Sequence, residues 1–316
     1  MFKNLILYRI AREWQVELTA LEEALAKTPF TACGATQEQS GGWTPPRGQE
    51  HGLLAESVGG QWIARYMTEA RLLPGAVLAR KVQEQAERIE RETGRKPGKK
   101  EKRDLKEQAR QELLPMAFTR QSGTWVWIDP RAHLLALDAG AQGRADEIVT
   151  VLTKALPGLS LALLDTQTSP QIAMARWLSE QQPPAGFSID RECELKAADE
   201  SKSAVRYARH PLDIEEVQAH IQAGKLPTRL AMTWDERVSF VLTEGLQLKK
   251  VTFLETVFDG QTREDSGFDA DVAIATGELE RLIPELIEAL DGEGRAPLAP
   301  PAPAQAAVHD DGDAPF

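Results

Sequence analysis

Residues 2–9 place apolar side chains at alternating positions and are rich in Leu, Ile and Tyr, which predicts a strand. Thr19-Ala20-Leu21-Glu22 has the form of a capping box, and Leu21, Leu25 and neighbouring alanines continue it as a short helix. Two strands are predicted next, Leu53 to Val58 and Trp62 to Leu72, joined at the hairpin signal Gly59-Gly60. The apolar period then lengthens and predicts helices over 75–93 and 99–114, parted by Gly94-Arg95-Lys96-Pro97-Gly98. Trp125-Val126-Trp127-Ile128 and Leu134 to Leu137 read as another strand pair with Asp129-Pro130 in the turn. Ala145, Ile148, Val149, Leu152 and Leu156 predict a helix over 143–156, and a shorter one is expected over 170–179. Pro183-Pro184-Ala185-Gly186 is the strongest linker signal. Beyond it the pattern gives strands near 189–195 and 203–208, a helix over 212–222 closed by Gly224, two or three strands within 228–254, and a helix over 271–290. Residues 291–316 have almost no large apolar group and are predicted to be a disordered tail.

The two helices over 75–114 carry one thin apolar seam each. Leu78, Val82, Ala86 and Ile89 line the first, and Leu105, Ala109 and Leu113 the second. That suffices to zip two arms antiparallel and little more, so a projecting helical hairpin is expected, about 28 Å long.

Composition changes the picture through charge. The 316 residues hold 37 Lys and Arg against 48 Asp and Glu, a net charge of −11, which taken alone argues against nucleic-acid binding. Yet residues 80–110 contain 12 bases and seven acids, and four of the bases, Arg95, Lys96, Lys99 and Lys100, border the proline-glycine turn. Such clustering favours an anion-binding hairpin over a merely solvated one. A second basic set, Arg206, Arg209, His210, Lys225, Arg229, Arg237, Lys249 and Lys250, falls on predicted strands and turns. No stretch of 18 apolar residues exists, so no membrane span is expected. Two cysteines, Cys33 and Cys193, are too few for a disulfide scaffold and fit a reducing cytoplasm.

Enzymatic chemistry finds little support. The sequence has no phosphate-cradling GxxxxGK[ST], no GxGxxG after a strand, no GxSxG and no HExxH, and no pair of its five histidines has metal spacing. Cys33 reads as a small core cysteine before it reads as a nucleophile. His210 before Pro211, with Asp213 nearby, reads as a turn histidine before an acid–base pair. Neither cofactor nor metal is expected. A nuclease built from scattered carboxylates, and a scaffold whose hairpin grips an acidic partner, remain as alternatives.

Several short motifs occur in order: Phe2-Lys3-Asn4-Leu5 with Tyr8-Arg9, Pro29-Phe30 to Cys33-Gly34, Gly42-Trp43 with Pro45-Pro46, and Leu72-Leu73-Pro74. Leu113-Leu114-Pro115 with Ala117-Phe118, Trp127-Ile128-Asp129, Ala185-Gly186-Phe187 and Thr276-Gly277-Glu278-Leu279 follow. Together they resemble the bacterial recombination-associated RdgC family from residue 2 to about 290. The resemblance implies a non-enzymatic, nucleoid-associated cytoplasmic protein that binds single- and double-stranded DNA without sequence preference and restrains RecA-promoted strand exchange.

It also implies an α+β fold: a curved monomer with centre, tip and base regions, closing as a homodimeric ring with a basic inner wall. On that plan residues 1–74 and 115–165 form the centre, 75–114 the hairpin tip and 166–290 the base. The candidate DNA-binding residues are then Arg88, Arg95, Lys96, Lys99 and Lys100 on the hairpin, with Arg206, Arg209, His210, Lys225, Arg229, Lys249 and Lys250 in the base. Phe118 matches the aromatic of the family's LLPxAF segment and is expected at the dimer interface or beside DNA. Met116 stands where relatives have Arg, which removes one possible phosphate contact.

Overall fold

The computed structural model describes residues 1–200, 202–258 and 267–294. It is a mixed α+β protein dominated by antiparallel strand pairing, with seven α-helices among the described residues. The chain forms two compact units.

The first unit comprises Met1–Ala24, Ser57–Ile63 and the described residues from Val126 onward. Its organising strand is β1 (Leu5–Ile10), whose Leu-Ile-Leu-Tyr-Arg-Ile sequence is buried on both faces except at Arg9. A strand so apolar belongs at the centre of a covered sheet. β1 pairs antiparallel with β6 (Leu134–Asp138) along one edge, Leu5 facing Asp138. Its other edge takes β12 (Leu248–Phe253) at Leu5 and β7 (Leu161–Leu163) at Tyr8 to Ile10. Beyond β12 the order is β11 (Val238–Thr243), β10 (Lys225–Trp234), β8 (Phe187–Ala197) and β9 (Ala204–Ala208).

Helices α4 (Gln142–Ala155), α5 (Pro170–Glu180), α6 (Glu215–Gln222) and α7 (Phe268–Ala289) bury one stripe each. Ala145, Ile148 and Leu152 form the stripe of α4, at helical spacing. Helices α5 and α6 pack on β10 and on each other. Pro183–Gly186, expected as a linker, is a turn from α5 to β8 inside this unit, closed by the Phe187 N–H donating to the Pro184 carbonyl at 3.0 Å.

The second unit comprises Leu25–Glu56 and Ala64–Trp125. Strand β2 (Gln39–Thr44) pairs with β4 (Gln61–Arg71), Trp43 facing Tyr66. Their rings meet edge to face with centroids 5.0 Å apart. β5 (Thr119–Asp129) lies on the other side of β4, and β3 (Ala55–Val58) also pairs with β4. Helices α2 (Gly75–Thr93) and α3 (Lys99–Leu113) pack against each other. The remaining helix, α1 (Leu18–Leu25), ends at the boundary of the two units.

Two short elements escape the periodicity. β2 is Gln-Ser-Gly-Gly-Trp-Thr, which offers no alternation of large apolar groups. Its glycines are there for closeness: a Cβ on Gly42 would lie 2.5 Å from the Pro29 carbonyl oxygen and 2.6 Å from the Phe30 Cα. The three residues of β7 are too few to show a period.

Residues 291–294, predicted to belong to the disordered tail, are instead held by backbone pairing. Thr166 to Thr168 hold residues 290–294 through backbone bonds such as Gln167 N–H to the Gly292 carbonyl at 2.9 Å. The remainder of that tail, 295–316, lies outside the described residues. No helix among the described residues is long and apolar enough to cross a membrane.

Candidate nucleic-acid interface

In the helical hairpin the sequence builds a locked turn. Gly94 caps α2 with φ +70°, a conformation that a Cβ would disfavour, and its N–H donates to the Glu90 carbonyl at 2.8 Å. Gly98 precedes α3, and Glu101 folds back to accept its N–H at 3.0 Å. The same carboxylate takes both terminal nitrogens of Arg95 at 2.7 and 2.8 Å. The Arg95 guanidinium and the Gly98 N–H together hold the Glu101 carboxyl at about 2. Arg95, selected from the sequence as a DNA contact, is therefore engaged by the turn itself.

The other hairpin candidates divide. Lys96 lies 3.9 Å from Glu90, and Arg88 faces Glu112, whose carboxyl is lowered mainly by Lys81 and Gln108. Lys99 and Lys100 are exposed and have no ion-pair partner among the described residues; Lys102, Arg103 and Lys106 share that state. Two lysines in the first turn of a helix oppose its dipole, at about 0.3–1 kcal/mol each. The seam contains the expected Leu78, Ala86 and Ala109, but also a buried Gln85 whose carbonyl oxygen has no partner.

Phe118 is 86% exposed and Met116 73%. The segment that carries them is held by Arg71, at the end of β4. Its guanidinium donates to the carbonyls of Leu114 and Ala117 at 3.1 Å and of Gly34 at 3.0 Å, with longer contacts to Cys33 and Pro115 at 3.5 Å. Cys33 is half-buried beside it, its thiol 3.1 Å from the Glu69 carbonyl oxygen.

In the first unit, strand register gathers four of the candidate bases. Arg206 on β9 and Arg229 on β10 both stand opposite Glu194 on β8. Arg206 makes an ion pair with Glu194. The register of β12 against β11 slips between Ser239 and Val241, and Lys250 takes φ +53°, as in a bulge. From there the Lys250 amine reaches Glu192 on β8 at 2.7 and 2.8 Å, across two intervening strands. Lys249 donates to the Gly140 carbonyl at 2.6 Å, and burial, then Arg229, lowers its pKa.

The remaining three candidates lie outside this group. Lys225, at the start of β10, donates to His220 Nδ1 at 3.2 Å. Arg209 is exposed with φ +56°, and His210 pairs its Nδ1 with the Pro211 carbonyl at 2.8 Å. Glu192 and Glu194, which organise the basic face, were not selected from the sequence. Their i, i+2 spacing in Glu-Cys-Glu was visible, but their partners arrive from other strands.

Among the described residues no group of three or more His, Cys, Asp or Glu side chains is placed to hold a metal ion.

Comparison with known proteins agrees with the motif resemblance. The family model described as "Putative exonuclease, RdgC" matches residues 1–293. The recombination-associated protein RdgC of Dechloromonas aromatica is 46% identical over 299 residues, covering 92% of this chain and 98% of that protein. Its counterpart in Cupriavidus necator is 45% identical, with 93% and 99% covered, and that of Bordetella pertussis 43% identical with the same coverage. A model matched over nearly the whole chain and relatives matched end to end place this protein in the RdgC family of recombination-associated proteins.

Proposed function

We propose that the protein acts in recombination by binding single- and double-stranded DNA without sequence preference, and not by cutting it. The observation that carries this reading is the set of bases on two elements: the exposed Arg206, Arg229 and Lys250 with the half-buried Lys249 on one sheet, and on α3 the exposed Lys99 and Lys100, which have no ion-pair partner among the described residues. Such sets neutralise backbone phosphates and read no base. In the fuller form of the proposal two copies close into a ring around DNA through Phe118, at the nucleoid, and restrain RecA by occupying its substrate. The net charge of −11 is compatible with this, because contact fields fall off within about 10 Å.

Salt titration of binding to an unrelated pair of duplexes tests it. Each neutralised phosphate adds about −0.9 to the slope of log K against log salt. Contact with about 4–8 phosphates gives a loss of about two to four decades between 50 and 200 mM salt. A flat response, or a preference above about tenfold for one duplex, overturns the reading.

A second reading is favoured by the description of the matched family model as an exonuclease. Incubation with end-labelled DNA and Mg²⁺ separates the two, since only a nuclease shortens the strand.

A further inference from the structure

Glu192 and Glu194 stand two residues apart on one face of β8, about 6.6 Å along the strand. Each carboxylate is surrounded as a phosphate group would be. Glu192 takes the Lys250 amine on both oxygens, at 2.7 and 2.8 Å. Glu194 takes the Arg206 guanidinium and the Thr228 hydroxyl, the latter at 3.1 Å, with Arg229 close enough to act on its charge. Burial raises the Glu194 pKa, but Arg206 and Thr228 outweigh it and hold the group below the usual carboxylate range. Both bases remain open to solvent: the Arg206 side chain is 73% exposed and that of Lys250 65%.

We propose that Glu192 and Glu194 fill two preformed phosphate subsites of the sheet face, and that DNA binds there by displacing them. The inference rests on the DNA-binding reading above. It adds that the acids act as an internal mask which sets the affinity. Binding moves Lys250 and Arg206 from carboxylate oxygens to phosphate oxygens, so little net attraction is gained per contact. Counterions leave the DNA, while the freed carboxylates gather cations of their own, which flattens the salt dependence.

The test is the full-length Glu192→Gln/Glu194→Gln variant, titrated by fluorescence anisotropy with a labelled mixed-sequence duplex at several salt concentrations. Removing the mask should tighten binding about tenfold near 100 mM salt, equivalent to about 1.4 kcal/mol. The salt slope should steepen by up to about 0.9 for each freed subsite. Glu13→Gln/Glu23→Gln, an equal change in net charge at exposed positions, should leave affinity within about twofold. If the double variant is poorly folded, Glu192→Gln alone should still tighten binding about threefold, because its carboxylate holds only the exposed Lys250.

Wild-type affinity and slope in the masked-site variants, or an equal gain in the control, overturns the mask and leaves the DNA reading standing. Absence of duplex binding by wild type and variants alike overturns both.

Discussion

Arg71 is a cation turned inward. By binding the carbonyls of Leu114, Ala117 and Gly34 it fixes the segment that carries Met116 and Phe118, with a fork of donors that a single ammonium cannot reproduce. Arg71→Ala should lower stability to urea by about 2–3 kcal/mol, and Arg71→Lys should recover little of it. Full recovery by Lys would show that charge alone suffices. The two cysteines should differ in reactivity. Burial pushes the Cys193 thiol up to about 12, so it stays protonated at pH 8, whereas Cys33 is half-buried. Intact-mass measurement after alkylation of the native protein should find one adduct, at Cys33; labelling of Cys193 would contradict the burial. Glu101 gives a pH prediction. Its folded pKa is depressed, so its contribution is complete above the unfolded value near 4.3 and is lost as pH falls toward about 2. An NMR titration of that carboxyl should have its midpoint near 2, and a midpoint near 4 would mean that the Arg95–Gly98 lock is absent.

At the scale of elements, legibility followed the range of the interactions. The hairpin 75–113 was readable because its breakers, seam and capping glutamate are all local, and helix bounds matched within a residue. β2 was not, because Gly42 is selected by the backbone of Pro29 and Phe30, which periodicity cannot see. Gly42→Ala should cost about 1–3 kcal/mol in chemical denaturation for the same reason. Within the hairpin, Gln85 interrupts the apolar seam with an unpartnered carbonyl oxygen. Gln85→Leu should therefore raise the melting temperature, at a gain of about 1 kcal/mol; a fall would show that its long contacts to Glu112, both 3.5 Å, matter more than the orphaned oxygen. The basic face shows the same limit from the functional side. Arg206, Arg229, Lys249 and Lys250 are legible as bases, but their common row and their clamping by Glu192 and Glu194 depend on the register of five strands. The charge of Arg95 suggests a DNA contact, whereas its guanidinium is held by its own turn.

For the whole molecule, an acidic total with bases gathered on particular elements keeps the field local. If Phe118 is a self-association contact, as proposed, Phe118→Asp should yield monomers in light scattering with an unchanged melting temperature, since an 86% exposed ring adds little to the core. An unchanged oligomeric state would remove Phe118 from any interface. The position of β1 has a further consequence, for synthesis. The strand leaves the ribosome before its partners, for Asp138 and Leu248 flank its Leu5. At about 5–20 residues per second, roughly 12–50 s separate the appearance of Leu5 from that of Leu248. Through that interval the Leu5 end of this strongly β-forming segment waits with one edge unpaired, because β7 covers only Tyr8 to Ile10. A nascent chain stalled before β12 is therefore the form in which a chaperone should find this protein.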